Sequence, residues 1–193
     1  MSVTVIGVLS VQGDFAEHVA VLREIGVHAR EVRLPAELNG IDGLIIPGGE
    51  STTIARMMDL YNLREPVIRR SKDGMAVWGT CAGLILMATR LEDDRPKPLG
   101  LMNIEVARNA FGRQLDSFET DLIVEELGAE PFHAVFIRAP VIRLLCSGVN
   151  ELASLKDGRI VAARQGRLLG TAFHPELTKD SRFHKYFVAM CEN

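Results

Sequence analysis

Gly79-Thr80-Cys81-Ala82-Gly83 stands where a short apolar run, Met75 to Trp78, gives way to a helical pattern. Glycines two residues to either side of a cysteine let the chain turn sharply and lift one side chain above a sheet, the layout of a nucleophile elbow. The dipole and free N–H groups of the following helix favour a thiolate at Cys81 and an anion beside it. A free cysteine is more often a small buried hydrophobe, and Cys146 and Cys191, which lack such surroundings, are read that way.

A thiol nucleophile needs a base, and the base needs an orienter. His174-Pro175-Glu176 can supply both. Residues two apart in extended chain share a side, and Pro175 biases His174 toward that conformation. Glu176 would then accept from one imidazole nitrogen and fix the tautomer that turns the other toward the thiol. Alone, the tripeptide reads equally as a surface turn before a helix. A third signal is Pro47-Gly48-Gly49-Glu50-Ser51-Thr52-Thr53. Its glycines let backbone N–H groups approach a ligand, so an amide at Gly49, paired with that of Ala82, would make a two-donor oxyanion hole. The same stretch also reads as a β-α turn with Ser51 or Thr52 as helix N-cap. It lacks the GxxxxGK[ST] pattern of a phosphate loop. His18, His28, His133 and His184 show no metal-ligand spacing and are read as surface or core residues. No metal and no cofactor is assigned.

The elements that must position these groups alternate along the first half. Val3 to Leu9 reads as a buried strand, and Phe15, Val19, Leu22 and Ile25 mark a helix over Asp14 to Ile25 stopped by Gly26. An imperfect strand covers Val27 to Leu34, and Ile41 to Ile46 is a further apolar strand. A helix from Ser51 carries Ile54, Met57, Met58 and Tyr61, a second helix covers Glu65 to Lys72, and a helix over Ala82 to Arg90 follows the Met75 strand. Repeated β-α units imply a three-layer α/β fold, a mostly parallel sheet flanked by helices. Ligands in such sheets lie at the carboxyl ends of the strands. From Gly100 to Ala172 the second half is β-rich and antiparallel in texture. Leu152 to Leu155 and Ile160 to Ala163 form a hairpin around Gly158, Leu168 to Phe173 is a last strand, and Phe183, Phe187 and Met190 mark a closing helix. The charged loop Glu92 to Pro98 reads as surface punctuation, and residues 1–193 as a single domain.

Composition narrows the partners. The 193 residues carry 22 Lys plus Arg against 25 Asp plus Glu, a formal charge of −3, which offers no electrostatic case for nucleic acid. With 47% hydrophobic and 24% charged residues the chain is an ordinary globular one. Three widely spaced cysteines argue against a secreted disulfide framework and a zinc ribbon, which points to the cytoplasm. Met1-Ser2-Val3-Thr4 has no basic n-region, and the longest apolar runs, such as Leu84 to Ala88, are too short to span a bilayer.

The Gly-Thr-Cys-Ala-Gly elbow, the Gly-Gly-Glu-Ser-Thr loop and the late His-Pro-Glu together resemble class I (triad) glutamine amidotransferases. Val11-Gln12-Gly13 with Glu17-His18, Val106 to Gln114 with Asp116-Ser117-Phe118, and Phe136-Ile137-Arg138-Ala139-Pro140 are similar to the glutaminase subunits of pyridoxal 5′-phosphate synthases. The resemblance spans essentially the whole chain and implies a flavodoxin-like sheet. It implies Cys81 as nucleophile, His174 as general base and acid, and Glu176 as orienter. It also implies glutamine contacts at Gly49, Glu50, Ser51, Arg108, Ile137 and Arg138, and a role for Gln12 in organising the oxyanion site at the contact with a synthase subunit. The partner so implied is a (β/α)₈-barrel synthase subunit in a large hetero-oligomer, supplied with ammonia from L-glutamine. A class I glutaminase serving another synthase is the nearest alternative. A stand-alone thiol hydrolase would not need Glu50-Ser51, Arg108 and His-Pro-Glu together, and a non-catalytic scaffold would not need the Cys, His and Glu set.

Overall fold

A computed structural model describes residues 3–108, 110, 111 and 117–192. In chain order the first half contains β1 (Val5–Leu9), α1 (Phe15–Glu24), β2 (His28–Val32), β3 (Gly43–Ile46), α2 (Ser51–Leu60), α3 (Arg64–Lys72), β4 (Ala76–Thr80), α4 (Ala82–Met87) and β5 (Ala88–Leu91). The second half contains β6 (Met102–Ala107), β7 (Ser117–Leu122), β8 (Phe132–Ile137), β9 (Val141–Leu145), β10 (Asn150–Ser154), β11 (Ile160–Gln165), β12 (Leu168–Thr171) and α5 (Arg182–Glu192). Among the described residues the large sheet has the order β2-β1-β3-β4-β12-β11-β9-β6-β5, with β10 beside β11, while β7 and β8 pair separately. Strands β2, β1, β3, β4 and β12 are parallel. From β12 to β6 neighbours run antiparallel, and β5 pairs parallel with β6.

The parallel part forms because its strands are apolar on both faces: Leu44, Ile45 and Ile46 have no exposed surface, nor do Ile6, Val8 and Leu9. Each such fully buried Leu or Ile contributes roughly 1.5–3 kcal/mol. Helix α1 lays Val19 and Leu22 on the sheet and ends at Gly26, whose φ of 79° no continuing helix adopts. Trp78 is fully buried against Phe183 and Phe187 of α5. The register that results decides where chemistry can happen. Ile46 lies opposite Gly79 and Thr171 opposite Thr80, so the carboxyl ends of β3, β4 and β12 deliver Gly48, Cys81 and His174 to one edge.

Most expected elements stand, including the Leu152 to Ala163 hairpin, closed by Leu155 N–H on Arg159 O and Gly158 N–H on Leu155 O at 2.9 and 2.8 Å. The expected helix Ala82 to Arg90 is shorter. It stops at Met87, and Ala88–Leu91 becomes β5. The carbonyls of Leu86, Met87 and Ala88 accept from the N–H groups of Leu99, Leu101 and Gly100 at 2.7, 3.0 and 3.1 Å, so returning chain takes the place of further helical turns. No helix among the described residues is long and apolar enough to cross a membrane.

Candidate active site

Cys81 occupies the step from β4 to α4 with φ 47° and ψ −101°, a conformation costing an L-residue on the order of 1–3 kcal/mol. Its N–H donates to Thr171 O of β12 at 2.8 Å, which ties the elbow to the neighbouring strand. The flanking glycines permit the close approach: a β-carbon on Gly79 would strike the Gly83 backbone, and one on Gly83 would strike the Ile46 carbonyl. The thiol Sγ lies 3.8 Å from Ile137 O, at the end of β8.

His174 follows β12, and its N–H donates to Val135 O of β8 at 2.9 Å. Its Nδ1 is 2.7 Å from Glu176 Oε1, which commits that nitrogen and leaves Nε2 for the thiol. A 3₁₀ turn over Pro175–Leu177, and not the extended chain that the sequence predicts, makes this pairing. That turn keeps Pro175 and Glu176 buried under the sheet edge. Burial works against an imidazolium at His174, but the hydrogen bonds and charges of Cys81 and Glu176 outweigh it and raise its pKa to about 10. Burial pushes the Glu176 carboxyl up, opposed by its bond to His174. Asp14 Oδ2 lies 3.4 Å from the same Nδ1.

The glycine loop packs against both groups. A β-carbon on Gly48 would strike His174 Cε1, and Gly48 O accepts from Asp14 N–H at 3.0 Å. Gln12 Oε1 accepts from Glu50 N–H at 2.9 Å, linking this loop to the one after β1. The N-cap of α2 is Glu50, not Ser51 or Thr52: its carboxylate accepts from Thr52 and Thr53 N–H at 3.0 and 2.7 Å and from the Thr53 hydroxyl at 2.7 Å. Partial burial raises the Glu50 carboxyl, yet these bonds prevail and hold it below its usual range. Arg108 reaches Ser51 Oγ with Nη1 at 3.4 Å and is braced by Asp93, with Nε and Nη2 at 2.8 and 2.6 Å from Oδ2.

One cavity of about 410 Å³ collects Gln12, Gly49, Glu50, Ser51, Cys81, Ala82, Arg108, Ile137, Arg138 and His174. Glu176 sits behind His174, outside the lining. A more open depression of about 500 Å³ between β7 and β10 holds none of these residues. Asp14 and Ile85 also line the cavity, and Asp93, in the charged loop after β5, braces Arg108; none of the three belongs to a motif of the sequence. Asp14 had a cue, lying next to Gln12-Gly13; Asp93, distant in sequence from every motif, had none. Asn109, Gly112, Arg113, Gln114 and Asp116 of the resemblance lie outside the described residues. Asp14, His174 and Glu176 form the one grouping of possible metal ligands among the described residues, their donor atoms within 4.8 Å. The 2.7 Å hydrogen bond from His174 to Glu176 already accounts for that proximity.

The profile of the SNO glutamine amidotransferase family matches residues 8–193. The chain belongs to the SNO glutamine amidotransferase family. A relative from Herpetosiphon aurantiacus, pyridoxal 5′-phosphate synthase subunit PdxT, is 56% identical over 188 residues, covering 96% of this chain and 99% of its own. Its namesake from Moorella thermoacetica is 56% identical over 186 residues, covering 96% and 98%. A solved glutamine amidotransferase superposes with a TM-score of 0.92 at 47% identity, covering 97% of this chain and 99% of that one. A glutamine amidotransferase of this kind requires a nucleophile, a proton carrier and oxyanion donors. The cavity brings together a strained cysteine, an imidazole committed through Nδ1, and the first N–H of α4 at Ala82, a position that has no intrahelical acceptor.

Proposed function

We propose that this chain is the glutaminase subunit of a pyridoxal 5′-phosphate synthase, hydrolysing L-glutamine to L-glutamate and ammonia through a thioester on Cys81. The observation that carries this reading is the strained Cys81 beside His174, with His174 Nδ1 bound to Glu176 at 2.7 Å. Cys81 Sγ attacks the side-chain amide carbon. The N–H groups of Ala82 and Gly49 receive the oxyanion. His174 Nε2 gives its proton to the leaving nitrogen, the C–N bond breaks and ammonia departs. The same nitrogen then takes a proton from water, whose oxygen displaces the thiolate and frees glutamate.

Glu50, Ser51, Arg108 and the Ile137-Arg138 backbone surround the amino-acid end of glutamine. Arg108 supplies a cation for its carboxylate, with Asp93 fixing the guanidinium. Gln12 holds the Glu50 N–H and so the peptide next to Gly49. A partner that displaces Gln12 therefore re-aims the oxyanion loop, which links glutaminase activity to docking. Ammonia reacts as a neutral nucleophile, so a protected path favours a tightly docked (β/α)₈-barrel synthase in a large hetero-oligomer, in the cytoplasm, with residues 1–193 as one glutaminase domain. The relatives named PdxT support that assembly over a stand-alone thiol hydrolase. Glutamate formation by the native protein and by Cys81→Ala, each with and without the synthase subunit, tests the assignment. The native protein is expected to be weak alone and faster with partner, and Cys81→Ala inactive in both; undiminished activity in Cys81→Ala would sink it.

A further inference from the structure

The proton carrier rests on a buried chain that the chemistry above leaves unused. His18 lies on the sheet side of α1, beside Val19 and Leu22, with no exposed surface. Its Nε2 is 3.4 Å from Glu176 Oε2 and 3.2 Å from Thr80 Oγ1. Its Nδ1 is 2.9 Å from Nε2 of His184 on α5, another fully buried imidazole. Trp78 closes the remaining side, edge-on to both rings, and its indole N–H goes to Thr171 Oγ1 at 3.1 Å. Among the described residues, Glu176 Oε2 and His184 Nδ1 have no aligned hydrogen-bond partner.

Two neutral arrangements of the pair satisfy the 2.9 Å contact. In one, His18 donates from Nδ1 to His184. That leaves His184 with a buried N–H at Nδ1 aimed at no acceptor, and sets the bare Nε2 of His18 against a carboxylate oxygen. In the other, His184 donates from Nε2 to His18 Nδ1. His18 then carries its proton on Nε2, bonded to Thr80 Oγ1 at 3.2 Å with Glu176 Oε2 beside it at 3.4 Å, and the unpaired atom of His184 is an acceptor nitrogen in place of a buried N–H. A buried N–H without an acceptor is the rarer defect in folded proteins, and a bare ring nitrogen 3.4 Å from a carboxylate oxygen is repelled where an N–H is attracted, so the second arrangement prevails. A doubly protonated His18 is disfavoured, because burial, then the charges of His184 and His174, drive its pKa well below the usual range.

We propose that His18 is a positioning residue for the triad: held in the Nε2–H tautomer by His184 and bonded to Thr80 Oγ1, it sets the positive end of its N–H dipole 3.4 Å from the second oxygen of Glu176, steadying from behind the carboxylate that orients His174. This rests on the reading of Cys81, His174 and Glu176 as the triad. His18 touches neither glutamine nor the reacting atoms, so its effect is on proton transfer and not on binding. The charged or titratable groups facing it are Glu176 from the 3₁₀ turn, His184 from α5 and, beyond Glu176, His174. Thr80 and Trp78 of β4 complete its surroundings without titrating near neutrality.

The test combines nitrogen-15 NMR of the native protein with kinetics of His18→Met and His18→Gln in the presence of the synthase subunit. NMR should find the His18 proton on Nε2. His18→Met removes the donor at similar size and is expected to lower kcat about tenfold with KM within about twofold, a loss of the order seen when a partner that orients an active group is removed. It should also move the alkaline limb of the kcat/KM profile to lower pH, since Glu176 then holds the His174 proton less well. His18→Gln, whose amide can return an N–H near the Nε2 position, should restore most of both. A proton found on Nδ1, or a His18→Met protein with lowered melting temperature but unchanged profile and kcat, would overturn the proposal. Native activity that survives Cys81→Ala would instead overturn the triad assignment beneath it, and the NMR result stands even if His18→Met does not fold.

Discussion

Replacing His184 by phenylalanine should make the fold less sensitive to acid, and by an amount that follows from burial. His184 is fully enclosed between His18, Trp78 and the core, and burial lowers its pKa to about 3. In the unfolded chain the imidazole returns to about 6.5. The unfolded state therefore binds the extra proton first, and stability falls as pH drops below 6.5. At pH 5, some 1.5 units below the unfolded value and well above the folded one, the loss is about 2 kcal/mol, from 1.36 kcal/mol per unit. For a chain of this length that corresponds to a fall of about 5 °C in Tm. His18 pulls in the same direction. His174 opposes it: with a folded pKa raised to about 10, its contribution is complete below 6.5 and is lost as pH climbs through about 10. The comparison with His184→Phe removes both from the account to first order. Urea unfolding of the two proteins at pH 7 and pH 5 should show the native protein losing about 2 kcal/mol more than the variant over that interval. Equal losses in both would refute the assignment of His184 as an imidazole buried neutral.

Other perturbations bear on the site itself. Glu176→Gln keeps the shape but removes the charge that helps hold the His174 proton, so glutaminase activity should fall by about a hundredfold or more and the alkaline limb of its pH profile should shift downward; an unaltered limb contradicts the pairing. Gly83→Ala drives a β-carbon into the Ile46 carbonyl, and should cost about 2 kcal/mol or more in urea unfolding together with most activity. Asp93→Asn frees Arg108 from a bracing carboxylate, and should raise KM for glutamine severalfold with kcat little changed, as steady-state kinetics would show.

Much of this site could be read from residue types because its parts are local. The elbow needs two glycines at fixed offsets, and the contacts of Gly79 and Gly83 show why: each backbone closes on another where a side chain would collide. The His-Pro-Glu tripeptide carries its own orienter, although a 3₁₀ turn and not extended chain makes the contact. What stayed hidden depends on distant chain. Helix α4 ends at Met87 because residues 99–101 occupy its terminal carbonyls, and nothing within Ala82 to Arg90 announces that. Asp93 acquires its role only when the loop after β5 folds beside Arg108. His18 left a faint trace, a polar ring between Phe15 and Val19 on an apolar helical stripe, but its meaning required Glu176 and His184, 158 and 166 residues away.

The thioester is the central claim, and it can be caught directly. Native protein with its synthase subunit, mixed with L-glutamine and quenched in acid within the first turnovers, should carry one γ-glutamyl group on the peptide containing Cys81 by mass spectrometry. The Cys81→Ala protein should carry none. The same group on Cys146 or Cys191, or glutamate released at full rate with no acylated Cys81 at any time, would contradict the account.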